Sequence, residues 1–255
     1  MRFGACFGYD PKNIKLASEF GFDYLEAGFA FFVKGSDEEI EDYCKCLDEY
    51  GIKCEASNCF IPGDLKVTGE NVDYDALKAH IEKGMSRGVK AGLKTVVFGS
   101  GGARNIPDGF PYSKAANQIA YFLKEIVAPI AEKYDITVVV EPLCDSNIIN
   151  TVKEGCIFAA MAESDHVKGL GDSFHMYTFG DKFENIRELK GFIGHAHIAE
   201  PTKRVYPSEG DGADYATFLK NLEYAGCPRC SIEARCDDFL AEGAEALAVL
   251  KKAAE

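Results

Sequence analysis

Eight short runs of apolar and β-branched residues, each followed by a stretch of helical character, fill the chain from end to end. The runs fall at residues 3–7, 24–27, 53–59, 95–98, 137–141, 167–172, 192–198 and 230–234. Strands that recur with a helix between them pair in parallel, because the crossover returns the chain to the edge where it began. Residues 137–141, Thr-Val-Val-Val-Glu, are apolar almost throughout, as befits a strand covered on both faces. Alternation alone does not separate an open doubly wound sheet from a closed one. The count of eight and the length of 255 residues favour closure into an α/β (β/α)8 barrel, a TIM barrel, formed as one domain over residues 1–255.

The helical stretches carry their own punctuation. Pro11 suits the first turn of a helix, and Ser36 with Glu39 has capping-box spacing. Further helices are expected at 73–88, 113–133, 152–162, near Ile186, at 215–224 and at 239–252, with Pro129 bending or interrupting the long one.

Lys and Arg number 28 against 41 Asp and Glu, a net charge of −13. That balance repels a phosphate backbone and argues against a general nucleic-acid binder. No run approaches the roughly 18–20 apolar residues of a membrane helix, and residues 1–9 lack a basic leader, so the cytoplasm is the expected compartment. The ten cysteines are expected as free thiols, since a chain this long needs no staples. Cys227 and Cys230 have CxxC spacing, but they end a turn and enter a strand instead of opening a helix.

Four consecutive strands end in polar groups. Glu141 closes the fifth, Asp172 the sixth with His175 beyond it, His195 and His197 lie in the seventh, and Glu233 closes the eighth. A barrel's active site lies at this end of its strands. So much charge at the end of an apolar barrel needs compensation, which a divalent cation supplies. Glu141, Asp172, His197 and Glu233 make an O,O,N,O donor set suited to Mn²⁺, Mg²⁺, Co²⁺ or Zn²⁺ that identifies none of them, and Mn²⁺ is the first expected. Taken singly, a strand-end glutamate is more often a cap or an ion-pair partner. His195 and His197 share a strand face by the period of two; the deeper His195 reads as a hydrogen-bonded core residue and His197 as a ligand. His80 and His166 read as surface residues. Gly99 to Gly102 lets a neighbouring group approach closely or forms a plain turn, and Lys203 with Arg204 either neutralises substrate oxygens or is a surface charge run.

The segments Glu141-Pro142-Leu143, Gly171-Asp172-Ser173-Phe174-His175, Gly194-His195-Ala196-His197-Ile198-Ala199-Glu200 and Ile232-Glu233-Ala234-Arg235 resemble the xylose isomerase-like barrel family of sugar isomerases and epimerases, especially its D-tagatose 3-epimerase and hydroxypyruvate isomerase relatives. Gly21 to Glu26 and Phe98 to Gly101 extend the resemblance over nearly the whole chain. It implies that Glu141, Asp172, His197 and Glu233 bind one metal, that Glu141 and Glu233 face the substrate from opposite sides, and that His175 contacts it. The family's arginine six residues beyond the metal-binding histidine falls on Lys203 here, with Arg204 next, and Arg235 joins the substrate-contact candidates. A second acidic contact of related epimerases lies on a longer stretch; Asp145 is its counterpart in this shortened one.

These groups suit proton abstraction beside a carbonyl, with a metal stabilising the enediolate, Glu233 as first candidate for base and Glu141 as the opposing acid/base. The expected substrate is a small keto sugar or related hydroxy-carbonyl compound, and no nicotinamide, flavin or nucleotide is needed. A dehydratase of inosose type and a non-catalytic sugar-binding barrel are the alternatives. An endonuclease IV-like phosphodiesterase would require more than these five histidines and a basic groove. Exposed helix faces in such barrels can pair, so a homo-oligomer fits the sequence.

Overall fold

All eight runs become strands, two with their ends unchanged and the others with an end moved by one or two residues: β1 (Arg2–Cys6), β2 (Tyr24–Gly28), β3 (Cys54–Asn58), β4 (Thr95–Phe98), β5 (Thr137–Val140), β6 (Val167–Asp172), β7 (Ile193–Ile198) and β8 (Arg229–Ile232). The computed structural model describes residues 1–255 and shows every neighbouring pair parallel, with β1 against β8 from Arg2↔Arg229 to Ala5↔Ile232 completing a closed barrel.

Outside the barrel run α1 (Pro11–Phe20), α2 (Phe29–Lys34), α3 (Asp37–Glu49), α4 (Tyr74–Gly88), α5 (Gly101–Arg104), α6 (Tyr112–Tyr121), α7 (Ala128–Tyr134), α8 (Val152–Ala160), α9 (Ser173–Phe179), α10 (Tyr215–Ala225) and α11 (Phe239–Ala253). Ser36 and Glu39 form the capping box of α3. The long helix expected at 113–133 is divided: a wider π turn, Phe122–Val127, separates α6 from α7. Pro129 lacks an N–H and its ring crowds the carbonyl four residues back, so the wider turn ahead of it relieves both. The helix near Ile186 is a 3-10 turn at Phe183–Leu189.

Two large apolar layers lie between barrel and helices. Val97, Val139 and Leu170 form a small separate cluster. Each stands two residues before Gly99, Glu141 and Asp172 respectively, so by strand period this plug lies on the inward face below them. No helix is long and apolar enough to cross a membrane. All ten cysteines are free, and Cys227 and Cys230 are buried in one of the apolar layers. His80 and His166 are half-buried rather than surface residues: each ring meets a backbone carbonyl, of Phe60 at 2.9 Å and of Ile136 at 3.0 Å.

Candidate metal centre

Strand alternation turns the ends of β5 to β8 inward together, and the donor atoms of Glu141, Asp172, His197 and Glu233 all lie within 4.8 Å of one another. His197 Nδ1 is the hub. It stands 3.0 Å from Glu141 Oε1, 3.3 Å from Glu233 Oε2 and 3.7 Å from Asp172 Oδ2. Ligands about 2.1 Å from a shared cation stand about 3.0–3.4 Å from each other, so this spacing fits one small divalent ion. Glu141, Asp172 and His197 are buried and the Glu233 side chain is 19% exposed. Three carboxylates here face the single guanidinium of Arg204, an imbalance that suits a hard cation and selects none among Mn²⁺, Mg²⁺, Co²⁺ and Zn²⁺.

Burial opposes ionisation of both glutamates. At Glu141 it prevails over the His197 contact, aided by the nearby carboxylates, and pushes the carboxyl above its usual range. At Glu233 the attraction of His197 and Arg204 outweighs burial and holds the carboxyl below that range. Burial pulls the His197 imidazole down, but Glu233, Glu26 and Glu141 together raise it well above normal.

Each donor has its own fixture. A Cβ at Gly99 would lie 2.1 Å from Glu141 Oε2, so the glycine makes room for the carboxylate. The Glu141 carbonyl accepts from Arg104 Nη2 at 2.7 Å, while Nη1 donates to Phe98 O at 2.9 Å. Asp172 divides its oxygens: Oδ1 caps α9 by accepting the His175 N–H at 2.9 Å, leaving Oδ2 for the cluster. Glu233 Oε1 accepts from Asn58 Nδ2 at 2.8 Å and Oε2 from Arg204 Nη2 at 2.5 Å. His197 Nε2 lies 2.9 Å from Glu26 Oε1.

Among the substrate-contact candidates, His175 and Arg204 stand at the site. His175 is buried, and its Nδ1 accepts the Cys144 N–H at 3.2 Å. Burial lowers its pKa. The turn after β7 decides between Lys203 and Arg204. The Glu200 carboxylate takes the backbone N–H groups of Thr202 and Lys203 at 3.0 and 2.7 Å, and the Arg204 N–H donates to Glu200 O at 2.9 Å. With φ at 53°, Arg204 swings back over the Phe174 ring to Glu233, whereas Lys203 is exposed. Arg235 and Asp145 are also exposed; the Arg235 Nε lies 3.8 Å from Asp237. Its backbone N–H nonetheless supports the turn, donating to Arg204 O at 2.8 Å.

Glu26, Asn58 and Arg104 were given no role by the sequence reading. A charged residue inside the apolar run Tyr24-Leu25-Glu26-Ala27 is a signal for the first, and an amide at a strand end for the second. Arg104, fully buried in a four-residue helix, carries no such pattern.

A family model described as "Xylose isomerase-like TIM barrel" matches residues 14–253. D-psicose 3-epimerase of Agrobacterium fabrum (strain C58 / ATCC 33970) is 26% identical over 225 residues, spanning 84% of this chain and 75% of that protein. Among solved structures, D-psicose 3-epimerase from Clostridium cellulolyticum H10 with D-tagatose matches at a TM-score of 0.86 and 18% identity, with 100% of both chains covered. L-ribulose 3-epimerase matches at a TM-score of 0.81 and 20% identity, covering 99% of this chain and 94% of that one.

Proposed function

Because the chain belongs to the xylose isomerase-like TIM barrel family, we propose that it is a divalent-metal-dependent epimerase or isomerase of a small keto sugar or related hydroxy-carbonyl compound. Glu141, Asp172, His197 and Glu233 would hold the cation, with Mn²⁺ the first to try. Such an ion, when bound, offsets negative charge on adjacent carbonyl and hydroxyl oxygens as a proton leaves carbon.

Glu233 is the base: Asn58 and Arg204 fix its two oxygens, so the carboxylate meets the substrate in one orientation. Glu141, through the oxygen it does not give to the cation, delivers a different proton to the other face, while Glu233 keeps the one it removed until exchange with solvent resets both carboxyls. The strand of Glu141 stands three places from that of Glu233 around an eight-strand ring, so the two carboxylates reach the cluster from different directions, which supports their acting on different faces of a substrate. Return to the same carbon from the opposite face inverts it, and return to the neighbouring carbon exchanges aldose for ketose. His175 and Arg204 orient substrate oxygens. The named relatives make ketohexoses and ketopentoses the first compounds to test.

The observation that carries this reading is the convergence of one imidazole and three carboxylates from four consecutive strands. The test is NMR in D₂O with metal-loaded protein and a panel of three- to six-carbon ketoses, hydroxypyruvate and keto-inositol. Deuterium is expected at one carbon of a ketose, with the rate falling by about 10²–10⁴-fold in Glu233→Gln. Water elimination from keto-inositol would instead identify a dehydratase, and absence of exchange at confirmed metal occupancy would leave a binding role.

A further inference from the structure

Beneath the donor cluster Glu26, His195 and His197 form a second convergence of ionisable groups, all completely buried. Glu26 enters from β2 on the far side of the barrel, and its two oxygens go to different rings. Oε1 lies 2.9 Å from His197 Nε2 and Oε2 lies 3.0 Å from His195 Nε2. Below them Ser231 Oγ stands 3.3 Å from His195 Nε2 and 3.0 Å from the Tyr24 hydroxyl.

A carboxylate oxygen has lone pairs to offer and each Glu26 oxygen stands within hydrogen-bond distance of one ring nitrogen, so each facing nitrogen carries the hydrogen. A hydrogen on His197 Nε2 leaves Nδ1 as the one nitrogen able to present a lone pair, and Nδ1 is the atom surrounded by Glu141, Asp172 and Glu233. We infer that Glu26 is a positioning residue that holds His197 in its Nε2–H form and in one ring orientation, so that Nδ1 is the ligand, and that Glu26, His195 and His197 are this hold and not a second metal site. Both Glu26 oxygens and both Nε2 atoms are already spent on each other; His195 Nδ1, buried without a partner, is the one nitrogen left over, and a single donor does not hold an ion. The inference rests on the metal-binding reading of the upper cluster.

The test compares wild type with Glu26→Gln, which keeps the volume but must point an amide N–H at one of the two rings. Mn²⁺ titration of the full chain is expected to give one site in wild type and about 10–100-fold weaker binding in the variant, the range for loss of an outer partner of a ligating histidine. Removing the buried charge also lowers the thermal midpoint of the metal-free variant, so the readout that separates positioning from a general structural role is which His197 nitrogen binds. In ¹⁵N-histidine NMR of the Zn²⁺ form, His197 shows Nδ1 bound and Nε2 protonated. Glu26→Asp keeps the charge but draws it back by one methylene; it weakens Mn²⁺ binding in the same direction and serves if Glu26→Gln fails to fold. Unchanged affinity, Zn²⁺ held through Nε2, or two ions in wild type with one lost in the variant would each overturn the inference. A wild-type chain that binds no divalent ion at all would bring down the functional reading beneath it.

Discussion

The two halves of the barrel are built alike and loaded differently. Strands β5 to β8 each deliver one donor to the mouth, Glu141, Asp172, His197 and Glu233. Strands β1 to β4 deliver none, yet nearly every donor is held by something from that side: His197 by Glu26, Glu233 by Asn58, and Glu141 by the room at Gly99 and the guanidinium of Arg104. One half carries charge; the other decides where the charge sits. Buried carboxylates repel one another and lose solvation, so their placement depends on donors and space supplied from outside the cluster.

Removing a donor and displacing it set the two halves directly against each other at Glu141. Glu141→Ala takes away a proposed ligand and is expected to weaken Mn²⁺ binding by more than about 100-fold, beyond the range for outer partners. Gly99→Ala leaves every ligand in the sequence but sets a methyl 2.1 Å from Glu141 Oε2. The carboxylate or the strand must then move, with roughly 1–3 kcal/mol of overpacking strain and about 10–100-fold weaker Mn²⁺ binding. Calorimetric titration of both variants checks this. Wild-type affinity in Gly99→Ala would mean that the supporting half only fills space.

The same division explains what the sequence made legible. A carboxylate that ends an apolar strand stands out against its neighbours, and the period of two puts His195 and His197 on one face without any structure. Gly99 was legible as a place of close approach but not the group that approaches, and Glu26 as a charge inside an apolar strand run but not its two partners. Arg104 acts through backbone carbonyls of Phe98 and Glu141 that no residue pattern announces. Arg204 rather than Lys203 reaches Glu233 because of a turn organised by Glu200 and one left-handed residue, a choice made by φ and not by charge. For the fold, eight runs and eight strands correspond, whereas α2 and α9 are too short to show a helical period. Asp172 as the cap of α9 was the available sign of the second.

Metal removal tests the charge on the donor half as a whole. Glu141 and His197 have raised pKa values, so in the metal-free protein their contribution to stability is full below the unfolded-state values and is lost as pH rises through the raised ones. Glu26 and Glu233 are lowered, and their contributions are lost only as pH falls below the ordinary carboxylate range. A cation needs the first pair unprotonated. Its stabilisation is therefore expected to grow from about pH 6 to about pH 8, approaching about 2.7 kcal/mol at a free concentration one hundred times Kd. Thermal melts with and without Mn²⁺ across that range check the sign; a gain that shrinks with pH would contradict the assigned charges. A smaller effect is expected on the supporting side, where Asn58→Ala removes one hydrogen bond to Glu233 worth about 1 kcal/mol. That corresponds to a several-fold fall in kcat with Mn²⁺ affinity nearly kept, because Glu233 Oε2 remains held by Arg204.

The smallest expected effect sharpens the comparison most cheaply, because it concerns two neighbouring cations on one turn. Lys203 and Arg204 are indistinguishable as charges in the sequence, but only Arg204 lies against the donor half, at 2.5 Å from Glu233 Oε2 and 3.8 Å from Asp172 Oδ2. What Lys203 gives the turn is its backbone N–H to Glu200, which survives any side-chain truncation. Lys203→Ala should therefore change stability by no more than about 0.5 kcal/mol and leave KM and Mn²⁺ affinity as they were. Arg204→Gln, by contrast, removes the guanidinium from Glu233 and is expected to raise KM for any ketose that turns over. If the two variants were equally impaired, the positive charge of the turn would act at a distance, and the hydrogen-bonded placement of Arg204 would lose its functional meaning.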